Sequence, residues 1–342
     1  MNNYFITTYD KEWKAVREVL QERLSFKVVE LHGKEYGNFP NKRELLGKEA
    51  KNAVNLLKAR RQFKEANILI CSNYCALFLL LMRKLRLIRF NKLFWYGVYI
   101  HQPKMMKIIR KVIHLIMPAD TVFKIVVFSR PEIELYQSNF RLTADHFIYV
   151  PYGEWDKDKV LLEAGDEGYF FSGGYANRDF VALAKLFQNH PWKIKIAASR
   201  ANEDFVKYCQ NNELSENIEV LWDIPYEEFN RLLRHAHAVI MLMKYNTGAS
   251  GQIVIMTALE YSKLVIASYT DVIDEYIKAN ETGIILTDKS QKAMEEVMTY
   301  INDPANAEAI SRIREAGHKH FENTFSYKAI SEYLVRAIQS EL

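Results

Sequence analysis

Short apolar runs alternate with longer amphipathic stretches along the first 150 residues of the chain. The runs are rich in Val, Ile, Leu and aromatic residues, as expected of parallel strands that are covered on both faces. Strands that alternate with helices indicate βαβ units around a parallel sheet. Strands are predicted at 4–7, 27–31, 68–71, 93–98, 125–128 and 147–149, and helices at 11–24, 43–63, 75–85 and 105–115.

The alternation stops at Pro151-Tyr152-Gly153 and resumes after an acidic segment over residues 154–168. The last fifty residues have helical periodicity with a break at Asp303-Pro304. The pattern predicts two α/β domains, 1–153 and 154–322, and a final helix over 323–342 that packs back on the first domain. The second set of predicted strands is 169–171, 193–197, 218–221, 238–242, 264–267 and 283–286.

Composition supports an ordinary globular protein that does not cross a membrane. The 342 residues suit two domains, and 49% of them are hydrophobic. The three cysteines, Cys71, Cys75 and Cys209, form no CxxC pair, which argues against a disulfide framework and favours a reducing compartment. No signal peptide is visible, and the longest apolar stretch, Tyr74 to Met82, is shorter than the roughly 20 residues of a membrane span. A cytoplasmic location is therefore expected.

Charge is distributed unevenly between the two halves. Residues 1–150 contain 26 Lys and Arg against 13 Asp and Glu, and the rest contains 20 against 29. Within the basic half, residues 77–89 and 104–115 interleave cations with large apolar side chains, a pattern typical of helices on an anionic membrane surface. The alternative is a buried helix with a solvated basic edge. We expect peripheral attachment to the inner face of the membrane through the cations of the second stretch, Lys104, Lys107, Arg110 and Lys111.

Nucleic acid is disfavoured as a partner, because no recognition motif or set of stacking aromatics accompanies the basic charge. No histidine has metal-ligand spacing with acidic or Cys neighbours, so no metal site is predicted. A nicotinamide dehydrogenase is disfavoured, because no GxGxxG follows the first strand.

The segment TGASGQIVIMTALEYSKLVIAS, residues 247–268, carries the clearest chemical signal. Gly248, Ser250 and Gly251 predict a turn into a helix over 252–261, with Ser250 as the N-cap. The free N–H groups of such a helix start suit a diphosphate. Glu260 near the helix end would accept hydrogen bonds from ribose hydroxyls. The alternative is a structural turn and a solvated glutamate.

This segment resembles the nucleotide-sugar site of group 1, family-four, retaining glycosyltransferases of the GT-B fold. The family has a glycine turn, a helix that ends in Glu, then a Lys and an apolar strand, here Glu260 and Lys263 before 264–267. It places two glutamates eight positions apart, the first on the donor sugar and the second on the ribose. This chain has Gln252 at the first position, a neutral amide that still forms hydrogen bonds with sugar hydroxyls. The resemblance implies an α/β GT-B protein whose two Rossmann-like domains face each other across a cleft.

Other stretches extend the resemblance over roughly residues 120–290. Residues 170–180 look like the first strand and turn of the family's second domain, with Gly173 and Gly174 at the donor and Arg178 on its diphosphate. The alternative for Arg178 is a pair with Asp179 or solvent. Lys244 is expected as a second cation or as an ordinary loop lysine. Residues 126–132 and 149–153 look like the end of the first domain.

His101 follows an apolar run and precedes Pro103, where a strand is predicted to end. Ligands of open α/β sheets bind at the carboxyl ends of strands. Family members often have a His near this point that faces the donor sugar, so the resemblance implies that role for His101. A surface or packing role is the alternative.

The resemblance implies a retaining hexosyltransferase of cell-surface polysaccharide biosynthesis. Its donor would be a nucleoside-diphosphate sugar, and its acceptor a glycan or a polyprenyl-diphosphate-linked glycan. Neither a metal nor another cofactor is expected, and no Asp-x-Asp motif is present. Two alternatives stay open: another GT-B enzyme, such as an inverting transferase or an epimerase, and a non-catalytic nucleotide-sugar-binding partner subunit, which the Gln at 252 would suit.

Overall fold

A computed structural model describes residues 2–7, 14–31, 42–97, 111, 122–140, 142–246 and 250–342, without the side chains of 42–46. The chain divides into two compact units. The first contains residues 1–157 and 327–342, and the second contains residues 158–326. The sequence-based boundary stands between Gly153 and Glu154, and the contacts divide the chain between Lys157 and Asp158.

The first unit is built on a six-stranded sheet whose strands all run parallel, in the order β2-β1-β3-β4-β5-β6. Parallel pairing requires a crossover between strands, and helices provide it. The strands are β1 Asn3–Thr7, β2 Phe26–Glu30, β3 Asn67–Ile70, β4 Lys92–Tyr96, β5 Phe123–Val127 and β6 Phe147–Tyr149. The helices are α1 Lys14–Leu24, α2 Lys42–Lys58, α3 Asn73–Lys84 and α4 Arg130–Phe140.

The last helix of the chain, α11 Tyr327–Gln339, belongs to the first unit. Its buried residues Ile330, Leu334 and Ile338 pack in one hydrophobic cluster with Val16 and Leu20 of α1. Beyond the helix, the Glu341 carboxylate accepts from the ammonium groups of Lys124 at 2.9 Å and Lys92 at 3.1 Å. Apolar burial and two ion pairs therefore hold the terminal helix on the first sheet.

The second unit repeats this architecture with its own six-stranded parallel sheet, in the order β12-β11-β10-β7-β8-β9. The strands are β7 Tyr169–Gly173, β8 Lys193–Ala198, β9 Ile218–Trp222, β10 Ala238–Met241, β11 Leu264–Ser268 and β12 Ile284–Leu286. The helices are α5 Phe180–Gln188, α6 Glu203–Asn211, α7 Tyr226–Arg234, α8 Gln252–Glu260, α9 Gln291–Asn302 and α10 Ala307–Thr324. Central strands β7, β10 and β11 are buried at every position, which explains why their sequences are mostly apolar.

The strand predictions are confirmed, since each predicted end lies within two residues of the observed one. The predicted helix 43–63 ends earlier, at Lys58, and a single 3₁₀ turn over Ala59–Arg61 follows it. The predicted helix 105–115 lies outside the described residues apart from position 111. Within the described ranges, no helix is long and apolar enough to span a bilayer.

Candidate functional site

The second sheet reverses its strand order between β7 and β10. From β7 the chain adds β8 and β9 on one side, and it then returns to place β10, β11 and β12 on the other. In open parallel sheets, the crevice beyond the carboxyl ends of the strands at such a reversal is the usual ligand site. Gly173 is the last residue of β7 and Gly174 follows it at this point, and Met243 follows β10.

Arg178 joins the two loops at the reversal. It forms an antiparallel bridge with Met243, and only 4% of the residue is exposed. Its Nε donates to the carbonyl of Gly173 at 2.9 Å, and its Nη1 donates to the carbonyl of Ala176 at 2.6 Å. These bonds fix the guanidinium plane beside the glycine turn.

The guanidinium of Arg178 has no carboxylate partner among the described residues. Burial lowers the pKa of this guanidinium to about 10, so the group stays protonated near neutral pH. The alternative pairing with Asp179 does not occur, because the Asp179 carboxylate accepts from the backbone N–H of Ala182 and caps α5. A buried charge without a counter-ion is costly, and an anion in the crevice would offset that cost.

The two flanking glycines leave space for Nη2 of Arg178. A Cβ on Gly174, whose φ is +121°, would lie 2.7 Å from this nitrogen. A Cβ on Gly251, whose φ is +90°, would lie 3.3 Å from it and 2.4 Å from the methyl carbon of Met241. Both positions therefore require glycine for backbone conformation and for close approach. Gly173 also has no room for a Cβ, which would lie 2.4 Å from the Phe229 ring.

Helix α8 begins at this site with its N–H groups uncapped. Gly251 is the N-cap, and no side chain accepts from the first turn. The prediction that Ser250 caps the helix is wrong. Gly251 takes the left-handed conformation at the cap position, and the Ser250 hydroxyl instead accepts from the side-chain amide of Asn177 at 3.2 Å. Gly248 lies outside the described residues.

Asn177 ties the β7 loop to the β10 loop, a role that the sequence analysis missed. Its amide nitrogen donates to the carbonyl of Tyr245 at 2.8 Å, and its amide oxygen accepts from the N–H of Tyr245 at 2.9 Å. The residue adopts φ +57°, a left-handed conformation in which Asn is enriched. An Asn between Gly174 and Arg178 was the available signal.

Lys244 lies on the same loop, but its ammonium group pairs with the Asp204 carboxylate. Burial would raise the pKa of Asp204, but the hydrogen bond and charge of Lys244 outweigh burial and hold that pKa below its usual value. The Lys244 charge is therefore partly neutralised by a residue of α6, whereas no carboxylate within the described ranges pairs with Arg178.

Gln252 and Glu260 lie at the two ends of α8. The Gln252 amide nitrogen donates to the Tyr276 hydroxyl at 2.6 Å. Glu260 is 7% exposed, and its carboxylate accepts from the Lys159 ammonium at 2.6 Å. The alternative of a solvated glutamate at 260 is thus wrong. Tyr276 and Lys159 are partners that the sequence analysis did not identify.

Several predicted residues fall outside these elements. His101, Lys104, Lys107 and Arg110 lie outside the described residues, and Lys111 is described only as exposed and helical. Across the described ranges, no group of three or more His, Cys, Asp and Glu side chains is arranged to hold a metal ion.

Comparison with solved structures finds proteins that share this architecture. The chain is similar to a glycosyltransferase from Rickettsia africae ESF-5, with 12% identity, a TM-score of 0.68 and 99% of each chain covered. It is similar to Anabaena Alr3699/HepE in complex with UDP, with 10% identity, a TM-score of 0.68 and coverage of 99% and 100%. The lipopolysaccharide outer core galactosyltransferase WaaB gives 12% identity, a TM-score of 0.69 and full coverage of both chains. These likenesses establish a GT-B fold with two Rossmann-like domains.

Residues 178–320 match the family described as glycosyl transferases group 1. The chain is a glycosyltransferase. The matched range begins at Arg178 and includes Lys244, Gln252 and Glu260. It therefore contains the β10 and α8 side of the crevice of this glycosyltransferase, and Gly173, Gly174 and Asn177 precede it. A comparison with curated proteins gives no significant match.

Proposed function

We propose that this glycosyltransferase takes a sugar from a nucleoside-diphosphate donor bound at the β7–β10 crevice and transfers it to a glycan or lipid-linked acceptor. The observation that carries the proposal is the buried guanidinium of Arg178, which has no carboxylate partner among the described residues and lies beside an uncapped helix start. Both features favour an anion, and they converge through Gly174 and Gly251. HepE, a similar structure, was solved with UDP and with UDP-glucose.

The donor diphosphate would lie against Arg178 and the first N–H groups of α8. A guanidinium binds two phosphate oxygens at once, and the helix start adds backbone donors with a positive dipole end. The glycines at 174 and 251 let the diphosphate approach the backbone closely, as in other phosphate-binding turns. Gly173 supports this turn through its carbonyl, which orients the guanidinium.

The donor sugar would contact Gln252. Because the amide nitrogen donates to the Tyr276 hydroxyl, the amide oxygen remains to accept a hydrogen bond from a sugar hydroxyl. A neutral amide thereby offers the acceptor that the family's glutamate supplies, without its charge. His101, outside the described residues, would contact the same sugar.

The ribose would bind Glu260, whose carboxylate can accept from both ring hydroxyls. Lys159 already donates to one carboxylate oxygen, which holds the buried Glu260 side chain in place. This pairing also offsets the cost of burying the carboxylate.

During transfer, the bond between the anomeric carbon and the diphosphate oxygen breaks, and the acceptor hydroxyl oxygen bonds to that carbon and releases its proton. Negative charge grows on the departing diphosphate, so donors fixed at that point stabilise the transition state most. Arg178 and α8 supply this stabilisation from the protein alone, and no metal is invoked. Lys244 would add a second cation on releasing Asp204. The family resemblance implies that the transfer would retain the configuration at the anomeric carbon.

The basic first unit would receive the acceptor. A polyprenyl-diphosphate-linked glycan is anionic, as is the cytoplasmic membrane surface, and both complement the excess of cations in residues 1–150. We assign membrane contact to Lys104, Lys107, Arg110 and Lys111, within a role in polysaccharide biosynthesis. Replacement of these four by Glu should reduce co-sedimentation with anionic vesicles, and unchanged sedimentation would remove this stretch from the interface.

Gln252 also favours a second candidate, a non-catalytic subunit that binds nucleotide sugar. Slow donor hydrolysis separates the two, because an enzyme releases nucleoside diphosphate without an acceptor and a binding subunit does not. Configuration of the product from isotope-labelled donor distinguishes retaining from inverting transfer and from epimerisation.

The first experiment is a thermal-shift panel of nucleoside diphosphates, followed by calorimetry of the best ligand. Binding to the folded state raises the melting temperature by mass action. Arg178→Ala should abolish the shift, whereas Arg200→Ala, an exposed arginine of the same unit, should retain it. Equal shifts in the wild type and Arg178→Ala would place the nucleotide elsewhere.

A further inference from the structure

The first unit contains a basic cavity far from the ends of the strands at which ligands are expected. Its volume is about 410 Å³, and it lies between the segment that precedes β3 and the loop that joins α3 to β4. It is therefore at the amino ends of these strands, whereas ligands of parallel sheets bind at the carboxyl ends. The charged residues that line it are Lys64, Glu65, Arg83, Arg86 and Arg89.

Cations outnumber carboxylates four to one in this lining. The single carboxylate, Glu65, lies 3.8 Å from the Lys64 ammonium. Arg83 is held over the Phe90 ring, with its guanidinium carbon 5.6 Å from the ring centroid. An anion with several oxygens, such as a phosphate group, complements this arrangement.

Arg86 occupies a backbone position that normally belongs to glycine. Helix α3 ends in a Schellman motif, in which the N–H of Leu87 donates to the carbonyl of Met82 and that of Arg86 donates to the carbonyl of Arg83, both at 2.9 Å. Arg86 is the left-handed residue of this motif, with φ +60°. Glycine adopts that conformation without strain, so arginine at this position has a conformational cost that glycine would not have.

Two leucines flank Arg86 and point to solvent. Leu85 is 55% exposed and Leu87 is 52% exposed, whereas the next two apolar residues of the loop, Ile88 and Phe90, are buried. Large apolar side chains beside cations are typical of surfaces that enter the headgroup region of a bilayer. A small soluble anion would leave both leucines exposed to water, whereas a lipid surface would bury them.

We propose that this cavity binds the phosphate of an anionic phospholipid headgroup while Leu85 and Leu87 enter the headgroup boundary. The surface formed by Lys64, Arg83, Leu85, Arg86, Leu87 and Arg89 then tethers the first unit to the membrane. It is separate from the 104–111 stretch and does not depend on the donor site. Tethering here leaves the carboxyl ends of the strands open to the acceptor.

The test uses a matched pair of variants of the full chain, Arg86→Gly and Glu65→Gly. Both residues have φ +60°, so glycine relieves the same backbone conformation at each position while the charge changes in opposite directions. Partitioning is measured by co-sedimentation with phosphatidylcholine vesicles, with and without phosphatidylglycerol, at two salt concentrations. One basic residue near such a surface corresponds to about fivefold in partitioning. We expect Arg86→Gly to bind anionic vesicles about fivefold more weakly and Glu65→Gly about fivefold more tightly, with both effects reduced by salt.

Two further variants test the specificity of the surface. Arg23→Gln removes one exposed cation from α1 of the same unit and should change partitioning less than twofold. A double variant, Leu85→Ser with Leu87→Ser, should lose about tenfold or more, because each leucine gives up part of its burial. Nucleoside diphosphate affinity should stay unchanged in every variant, so failure here is distinguishable from failure of the proposed donor site.

Parallel shifts of the two glycine variants, or no shift in either, would overturn the proposal. So would an Arg23→Gln effect as large as that of Arg86→Gly, because the membrane would then sense only total charge. Inorganic phosphate serves as the soluble competitor. If it raises the melting temperature through Arg86 while vesicle binding is insensitive to this residue, the cavity is a site for free anions and the lipid assignment is wrong.

Discussion

The two units use equivalent helix starts in opposite ways. Each sheet reverses its strand order at one point, between β1 and β3 in the first unit and between β7 and β10 in the second. In the first unit α3 follows β3, and its N-cap Ser72 accepts from the N–H of Cys75 at 3.3 Å. In the second unit α8 follows β10, and its N-cap Gly251 offers no acceptor. The first N–H groups of α3 are therefore capped by a side chain of the same helix start, and those of α8 are not.

The two helix starts also differ in the charge of the groups around them. Near α3 lie Cys71 and Cys75, and burial raises the pKa of both thiols, that of Cys75 to about 12. These groups stay neutral. Near α8 lies the buried, protonated Arg178. Two units of one architecture thus differ at their reversal points: the first has a capped helix start and neutral thiols, and the second has an uncapped helix start and a buried cation.

The largest effect is expected from removal of Arg178, the buried cation that distinguishes the second unit from the first. Arg178→Ala should lower kcat by about a hundredfold or more, because a fixed donor is lost where charge develops in the transition state. Steady-state kinetics of transfer would measure it, with Arg200→Ala as the control. A raised KM with unchanged kcat would show that Arg178 binds only the ground state.

The next largest effect concerns the far end of α8. Glu260→Ala should weaken nucleoside diphosphate binding by about ten- to a hundredfold, equivalent to about 1.5–3 kcal/mol for hydrogen bonds to a charged acceptor. Calorimetry measures the loss, and Glu260→Gln, which retains one acceptor oxygen, should recover part of it. Unchanged affinity in the alanine variant would remove Glu260 from the site.

A methyl group added at the start of α8 tests the role of Gly251 directly. Gly251→Ala should cost about 1–2 kcal/mol of stability from its left-handed backbone alone, with a further loss of donor binding because the new methyl crowds Met241 and Met243. Gly168→Ala is the matched control, since Gly168 also has positive φ, +71°, but has no atom within 4 Å of the added Cβ. Denaturation and calorimetry should show similar backbone costs but loss of donor binding only at 251. Loss at both positions would assign the effect to general destabilisation.

The smallest expected effect is in the first unit. Ser72→Ala should cost about 1 kcal/mol of stability, as for other N-cap losses, and should leave nucleotide affinity unchanged. A shift in the denaturation midpoint measures it, and Ser72→Asp should restore the cap. A change in nucleotide affinity would mean that the α3 helix start also contributes to the donor site.

Local sequence was sufficient for the strands and for the glycine turn. The buried strands read as continuous apolar runs, because both faces of a parallel sheet are covered, and that signal needs no knowledge of distant residues. Neighbouring residues also sufficed to predict the turn before α8, but they did not predict which residue is the N-cap of this helix. Ser250 is a good cap by residue type, yet Gly251 takes the position because the Ser250 hydroxyl bonds to Asn177, 73 residues away.

The sequence by itself determined the two α/β units, their strands and the residues from which the candidate site is built, since propensity, periodicity and turn chemistry are short-range properties. Only the tertiary structure decided which residues each of these side chains contacts and whether it is buried. It paired Glu260 with Lys159 across 101 positions and Lys244 with Asp204, and it buried Arg178 with no carboxylate partner in the described part of the chain. The physical reason is that an ion pair or a desolvated charge depends on distance in space, and chain folding brings together residues whose separation in sequence carries no such information.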